Sequence, residues 1–302
     1  MAARTFEFVG GQSGEPCTMK ILILGATGML GNAMIRILSE NADWDVFGTI
    51  RSGSAGRFYS KGISEKLLAG IDAENQDSLV SVFNRIRPTV VINCIGLIKQ
   101  LAQSTDPFLA LSINSVLPHR LARLCDLAGA RLVHISTDCV FSGKKGDYRE
   151  TDPSDAEDLY GKSKFLGEVD YPHAITLRTS IIGHELQSAN GLLGWFLNQE
   201  TQCDGYVNAI FSGLPTVTLA QIVKNVVIPR PELSGVYHVA AQPISKHDLL
   251  KLIAKVYGKS IQIVPTDKLV IDRSLNAGRF LEATGYLAPS WPELIKSMYA
   301  NR

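Results

Sequence analysis

Residues 21–31 read Ile21-Leu22-Ile23-Leu24-Gly25-Ala26-Thr27-Gly28-Met29-Leu30-Gly31. The first four form an unbroken apolar run, the pattern of a short parallel strand covered on both faces. Three glycines follow at the spacing Gly-x-x-Gly-x-x-Gly. Leu30, Met34, Ile37 and Leu38 then recur at helical intervals, predicting a helix over 28–40. A glycine turn between a strand and a helix has a physical use. Gly25 permits a tight turn, Gly28 lets backbone approach a pyrophosphate at the helix N-terminus, and Gly31 allows close helix–strand packing. The first gap is one residue longer than in the commoner dinucleotide fingerprint. A packing turn without a ligand is the alternative.

Outward from this unit the strand–helix rhythm repeats. Strands are predicted at 46–50, 66–71 (ending at Asp72), 90–93, 131–136 and 174–177. A helix is predicted at 78–86 and a long one at 107–128, interrupted by Pro118. Repeated units of this length specify an α/β fold with a doubly wound parallel sheet. After about Ile182 the rhythm changes. Residues 183–213 are rich in Gly, Asn and Ser, and 245–302 add further helix and a strand at 261–264. A helix over 218–228 and a strand over 236–239 return to the first pattern. The expected organisation is a dinucleotide-binding domain of residues 19–182 and 214–242, with a smaller, discontinuous C-terminal substrate domain of 183–213 and 243–302. Residues 1–18 lack the periodicity of an element and the basic start of a signal peptide. They read as a flexible leader ahead of Met19, or as the product of an upstream start codon.

The chain has 302 residues, 45% hydrophobic and 20% charged, with a formal net charge of +1. That balance supplies no global field for nucleic acid or an anionic membrane. No apolar run approaches the roughly 18 residues needed to span a bilayer. The cysteines at 17, 94, 125, 139 and 203 show neither Cys-x-x-Cys nor a disulfide-rich spacing, which suits reduced thiols in a cytoplasm. No His/Cys/Asp cluster has metal-ligand spacing.

Chemistry concentrates in the middle of the chain. Tyr160 and Lys164 stand one helical turn apart, so a phenol and an ammonium share a helix face. A free tyrosine, with a pKa near ~10, is a poor proton source at neutral pH; a neighbouring cation lowers it. Thr137 ends the preceding strand, at the edge where such sheets bind ligands, and its hydroxyl can donate to a carbonyl. Ser136 faces either packing or a cofactor. Pro118 removes the amide that would bond the Asn114 carbonyl, leaving that oxygen free to hold a water against Lys164, unless the proline is a mere kink. His134 lies inside an apolar strand and reads as core. His184 and Glu185 either line a pocket or are plain loop residues. The second strand ends Thr49-Ile50-Arg51, with no acid where a ribose 2′-hydroxyl would be held. Arg51 could pair with a 2′-phosphate, unless it is simply solvated. Asp72 is either an acceptor for an adenine amino group or a loop aspartate.

These residues together resemble the extended short-chain dehydrogenase/reductase family, and within it the dTDP-4-dehydrorhamnose reductases and related nucleotide-sugar reductases. The resemblance runs from Met19 to the C-terminus. It is most specific in Ile135-Ser136-Thr137-Asp138-Cys139-Val140-Phe141-Ser142-Gly143, in Glu150-Thr151-Asp152-Pro153, in Tyr160-Gly161-Lys162-Ser163-Lys164-Phe165-Leu166-Gly167-Glu168, and in Leu177-Arg178-Thr179-Ser180 and Gly213-Leu214-Pro215-Thr216. It implies a Rossmann fold that reduces a keto group on a nucleotide-linked 6-deoxy-hexulose with NADPH. Thr137, Tyr160 and Lys164 would be the catalytic set, with Asn114 in support. It puts Gly25, Thr27, Gly28, Met29, Leu30, Gly31, Arg51, Asp72, Ala73, Cys94, Ile95, Gly96, Ser136, Tyr160 and Lys164 on the NADP. Lys99, Thr137, Asp138, Val140, Phe141 and Arg273 fall to the substrate. The implied partner is a nucleotide sugar, and a homodimer is compatible with the family. Two departures stand out: Cys139 replaces the usual Tyr, and Asn93-Cys94-Ile95-Gly96 replaces the usual Asn-Ala-Ala. Related sugar-nucleotide dehydratases place Glu where Cys139 stands. Other relatives bind NADP as regulatory subunits without turnover.

The Arg51 reading has a measurable consequence. Charge-assisted hydrogen bonds to a 2′-phosphate are worth roughly 1.5–3 kcal/mol each, so NADPH should bind about ten- to hundredfold tighter than NADH. Equal dissociation constants would show that Arg51 points into solvent.

Overall fold

The computed structural model describes residues 18–97 and 105–302. The leader reading, apart from Thr18, and Lys99 lie outside the described residues. Seven parallel strands form one sheet. They are β1 (Met19–Leu24), β2 (Trp44–Ile50), β3 (Leu67–Ala69), β4 (Val90–Asn93), β5 (Arg131–Thr137), β6 (Ala174–Thr179) and β7 (Gly235–His238), in the order β7-β6-β5-β4-β1-β2-β3. The order reverses between β1 and β4, which puts the ligand crevice of such a sheet above the ends of those two strands. Helices α1 (Met29–Leu38) and α2 (Gln76–Ile86) lie in the first half. A continuous helical stretch, α3, runs through Pro107–Ala110, Leu111–Val116 and Leu117–Ala128; α4 (Leu159–Leu166) follows β5.

Two local features differ from the sequence expectation. β3 is shorter than predicted, because Gly70 turns the backbone to φ +77 and ends the strand before Asp72. Pro118 does not interrupt α3. The missing amide is absorbed by a wide π-turn over Leu111–Val116, and the helix continues.

The sheet buries both faces, as the all-apolar strands require. Ile21 and Ile23 pack with Met34 and Ile35, while Leu22 and Leu24 pack with Leu79, Phe83, Leu121 and Cys125. The later chain adds helices α5 (Leu192–Leu197), α6 (Thr216–Ile222, extended by a π-turn over Val223–Val227), α7 (Lys246–Tyr257) and α8 (Trp291–Ala300). Short strands pair Gln202–Tyr206 with Gln262–Thr266, and set Ala209–Phe211 between Ile244–Ser245 and Ile271–Asp272. Core residues of α7 and α8, among them Leu249 and Leu294, belong to the same hydrophobic cluster as Ile21 and Ile23. No helix among the described residues is long and apolar enough to cross a membrane.

The turn after β1 is tight. Gly25 has φ +81, and a Cβ on Gly31 would stand 2.1 Å from the Gly25 carbonyl oxygen. Gly31→Ala must therefore push α1 off the turn. The expected cost is about 1–3 kcal/mol, read as a lowered denaturation midpoint, with weaker dinucleotide binding.

Candidate active site

The glycine turn is braced from β2 and from the loop beyond it. Thr49 Oγ1 accepts from the Gly25 amide at 3.1 Å, and the Tyr59 hydroxyl donates to the Ala26 carbonyl at 2.7 Å. Thr49 is buried, and its hydroxyl serves the turn. Gly28 is exposed at the N-terminus of α1, whose first amides lack intrahelical partners. That cradle fits a pyrophosphate. Met29 and Leu30 offer their amides there, while the Leu30 side chain is in the core. Thr27 is partly exposed beside them, and Arg51 is exposed at the end of β2. Asp72 Oδ1 accepts from the Glu74 amide in a local turn, and Ala73 lies between them. On the β4 side, a Cβ on Gly25 would stand 2.9 Å from the Ile95 side chain, so the loops after β1 and β4 meet. Cys94 and the exposed Gly96 flank Ile95, and burial pushes the Cys94 thiol up to about 12.

The catalytic candidates converge across the β5 end. Thr137 closes β5, and Tyr160 stands in the first turn of α4, whose N-cap Asp158 accepts from the Gly161 amide. The first turn of α4 lies so close to the loop after β5 that a Cβ on Gly161 would meet the Cys139 carbonyl at 2.2 Å. This approach sets the Tyr160 phenol beside the Thr137 hydroxyl. Burial raises the phenol above its ordinary value. Cys139, Asp138 and Asp158 add to the rise, and the Thr137 hydroxyl opposes it. The expectation that Lys164 lowers the phenol is not met. Lys164 Nζ donates to the Ile135 carbonyl at 2.9 Å, and burial lowers its own pKa to about 8.

Asn114 is buried within the π-turn of α3, beside α4. A Cβ on Gly167 would stand 1.9 Å from its carbonyl oxygen, so α4 and α3 approach closely there. Its side chain does face the site: Oδ1 accepts from the Leu97 amide at 3.0 Å and Nδ2 donates to Ser163 Oγ at 3.1 Å.

Other expectations resolve toward structure. Ser136 Oγ donates to Glu168 Oε1 at 2.7 Å, the packing alternative. Val140 and Phe141, expected on the substrate, are fully buried; Phe141 stacks on Tyr148 at 4.1 Å between ring centroids. The Phe141 carbonyl accepts from Arg273 Nε at 2.7 Å. His134 is core and hydrogen-bonds Asn93 at 3.1 Å. His184 bonds Tyr257, and Glu185 accepts from Ser188 and the Gly191 amide.

Two features went unread in the sequence. Glu168 and Arg178 form a buried bidentate pair, at 2.7 and 2.6 Å, and Arg178 also meets His238 at 3.2 Å. An arginine inside an otherwise apolar strand was the available signal. Lys246, the first residue of α7, stands in electrostatic contact with Asp138, Cys139 and Arg273. Nothing local marked it. Among the described residues no His/Cys/Asp/Glu cluster could hold a metal.

A doubly wound sheet with a glycine turn at its switch point, and Thr, Tyr and Lys at the β5 edge, defines an extended short-chain dehydrogenase/reductase. The chain belongs to the family described as RmlD substrate binding domain, which matches residues 19–277. It is similar to the dTDP-4-dehydrorhamnose reductase of Salmonella typhimurium, 27% identical over 93% of this chain and 97% of that one. It is equally similar to methionine adenosyltransferase 2 subunit beta of Danio rerio, at 27% over 85% and 80%. In fold it matches the dTDP-4-dehydrorhamnose reductase of Bacillus anthracis solved with NADP. The TM-score is 0.76 at 21% identity, covering 95% of this chain and all of that one.

The burial of Lys164 is directly testable. An NMR titration of its ammonium should show a midpoint near 8, against about 10.4 for an exposed lysine. An unshifted midpoint would mean that Nζ lies in water.

Proposed function

We propose that the protein is an NADPH-dependent reductase of a keto group on a nucleotide-linked 6-deoxy-hexulose. The observation that carries this reading is the meeting of Tyr160 and Thr137 at the β5 edge, with Lys164 one helical turn behind and the glycine turn across the crevice. A bound nicotinamide supplies a hydride for the sugar carbonyl carbon. Tyr160 gives its proton to the carbonyl oxygen, and Thr137 orients that oxygen. The raised phenol keeps Tyr160 protonated through neutral pH, so the donor is loaded for reduction. Lys164, held against the Ile135 carbonyl, is placed to bind the nicotinamide ribose. The amides of the glycine turn take the pyrophosphate, and Arg51 takes the 2′-phosphate. Arg273, anchored on the Phe141 carbonyl, faces the substrate beside Asp138. On this reading the protein is cytoplasmic, acts on a small nucleotide sugar, and needs no nucleic acid or membrane.

The relatives named methionine adenosyltransferase 2 subunit beta favour a second reading, an NADP-binding regulatory subunit without turnover. A panel of dTDP- and UDP-linked 4-keto-6-deoxy sugars separates the two. The reductase reading expects NADPH oxidation with at least one member. Tyr160→Phe should then lose about 100- to 10,000-fold in kcat with the NADPH dissociation constant unchanged. No oxidation with any member, together with copurification of a stoichiometric enzyme partner, supports the regulatory reading.

A further inference from the structure

Beyond β2 the chain makes a loop that returns to the glycine turn. It reads Arg51-Ser52-Gly53-Ser54-Ala55-Gly56-Arg57-Phe58-Tyr59, with two arginines, two serines and no acid. Arg51, Ser52, Ser54 and Arg57 are exposed, and the two serine hydroxyls lie 2.9 Å apart. Both ends of the loop are fixed. At its start the Arg51 carbonyl accepts from the Gly70 amide at 3.3 Å. At its end the Tyr59 hydroxyl donates to the Ala26 carbonyl at 2.7 Å, and the Tyr59 ring packs on the core cluster that includes Ala55.

That carbonyl belongs to the glycine turn, and its direction matters there. Ala26 is 0% exposed, so its carbonyl cannot turn to bulk water. Its amide donates to the Thr49 carbonyl at 3.0 Å. A trans peptide is planar, so the Ala26 carbonyl and the Thr27 amide point opposite ways. Drawing the carbonyl toward Tyr59 therefore aims the Thr27 amide away from the loop. The neighbouring Gly28 amide is already bonded to the Gly25 carbonyl at 3.1 Å. Burial raises the Tyr59 phenol to about 12, so the donor keeps its proton at working pH; Arg36 of α1 is the charged group that faces it.

We propose that Tyr59 is a positioning residue for the cofactor: its hydroxyl clamps the 2′-phosphate loop to the pyrophosphate turn and so sets the preference for NADPH. The inference rests on the reading above in which Arg51 takes the 2′-phosphate. Arg51 by itself is an exposed cation, and contacts of that kind are weak when the side chain and its backbone must be ordered on binding. With both ends of the loop fixed, Arg51, Ser52 and Ser54 are carried on ordered backbone before a dianion arrives, and less freedom is lost. NADH carries a hydroxyl at that position and gains nothing from the ordered loop; it depends on the turn. The two cofactors therefore differ in how much they need Tyr59.

The test reads binding rather than turnover. Dissociation constants for NADPH and NADH are measured by nicotinamide fluorescence on the full chain. A second pair, 2′,5′-ADP and 5′-AMP, isolates the adenosine end by calorimetry. Tyr59→Phe removes one oxygen and leaves the ring. It should weaken NADPH about tenfold and NADH about threefold, so the preference shrinks about threefold, and 2′,5′-ADP should lose its advantage over 5′-AMP by a similar factor. A residue that served only the fold would weaken both members of each pair alike. A fluorinated tyrosine at position 59 keeps the ring and the donor but ionises at lower pH, and it serves if Tyr59→Phe does not fold. There the preference should fall as the phenol ionises, beyond any drift in the unmodified protein. Equal weakening of NADPH and NADH in Tyr59→Phe, or none, overturns the clamp. Arg51→Ala separates the clamp from the reading beneath it: preference lost in Arg51→Ala but intact in Tyr59→Phe removes the clamp alone. No preference in the unmodified protein removes the Arg51 reading and the clamp with it.

Discussion

An arginine in the middle of a buried strand has to be matched, and much of this protein is arranged around that requirement. Arg178 is 4% exposed in β6. Its charge is met by both oxygens of Glu168, whose remaining capacity takes the Ser136 hydroxyl. Ser136, Arg178 and His238 are register partners across β5, β6 and β7, so the pair ties three strand ends together. His238 stays neutral, its pKa lowered to about 3 by burial and then by Arg178, and it holds the Tyr148 carbonyl. The Arg178 guanidinium also stands 5.2 Å from the centre of the Phe141 ring, above the loop that leaves Thr137. Removing one partner of such a pair costs about 3–5 kcal/mol, a large share of the roughly 5–15 that holds a domain folded. The pair therefore fixes the backbone on which Thr137 and Asp138 are carried.

Precision at the other side of the crevice comes from the absence of side chains. Gly161 lets α4 press on the Cys139 carbonyl, and Gly31 lets α1 press on the Gly25 carbonyl. In both places backbone meets backbone at a distance that a single methyl group would forbid. Beside these contacts Lys164 is held by the Ile135 carbonyl, and Tyr160 lies against the Thr137 hydroxyl. The charge of each group is then set by burial more than by its neighbours.

The sheet was legible because parallel strands buried on both faces leave a clear mark: a short, mostly apolar stretch and then a glycine or a polar residue at the ligand edge. β1, β4 and β5 all read this way. The Tyr160–Lys164 spacing was legible for the same reason, since one helical turn is a fixed length. What the sequence hid was direction. Ser136 and Thr137 are adjacent, and only the pleat decides that one bonds Glu168 while the other faces Tyr160. Val140 and Phe141 sit in a motif yet point inward. Thr49 stands next to the end of β2, and its hydroxyl accepts from the Gly25 amide. Lys246 was invisible because it arrives from a distant segment through tertiary folding alone.

The last helix has a bearing on how the chain is made. α8 packs on α6, which packs on α1, and Arg36 of α1 reaches the Asn301 carbonyl at 3.5 Å. The cluster that covers Ile21 and Ile23 is thus completed by Leu294, Ile295 and Met298. A ribosome delivers the first strand early and these residues at the very end. Until they emerge, one face of the nascent sheet lacks part of its apolar cover, a period in which collapse onto a neighbouring chain competes with folding. Truncation near the C-terminus would make that vulnerable interval permanent.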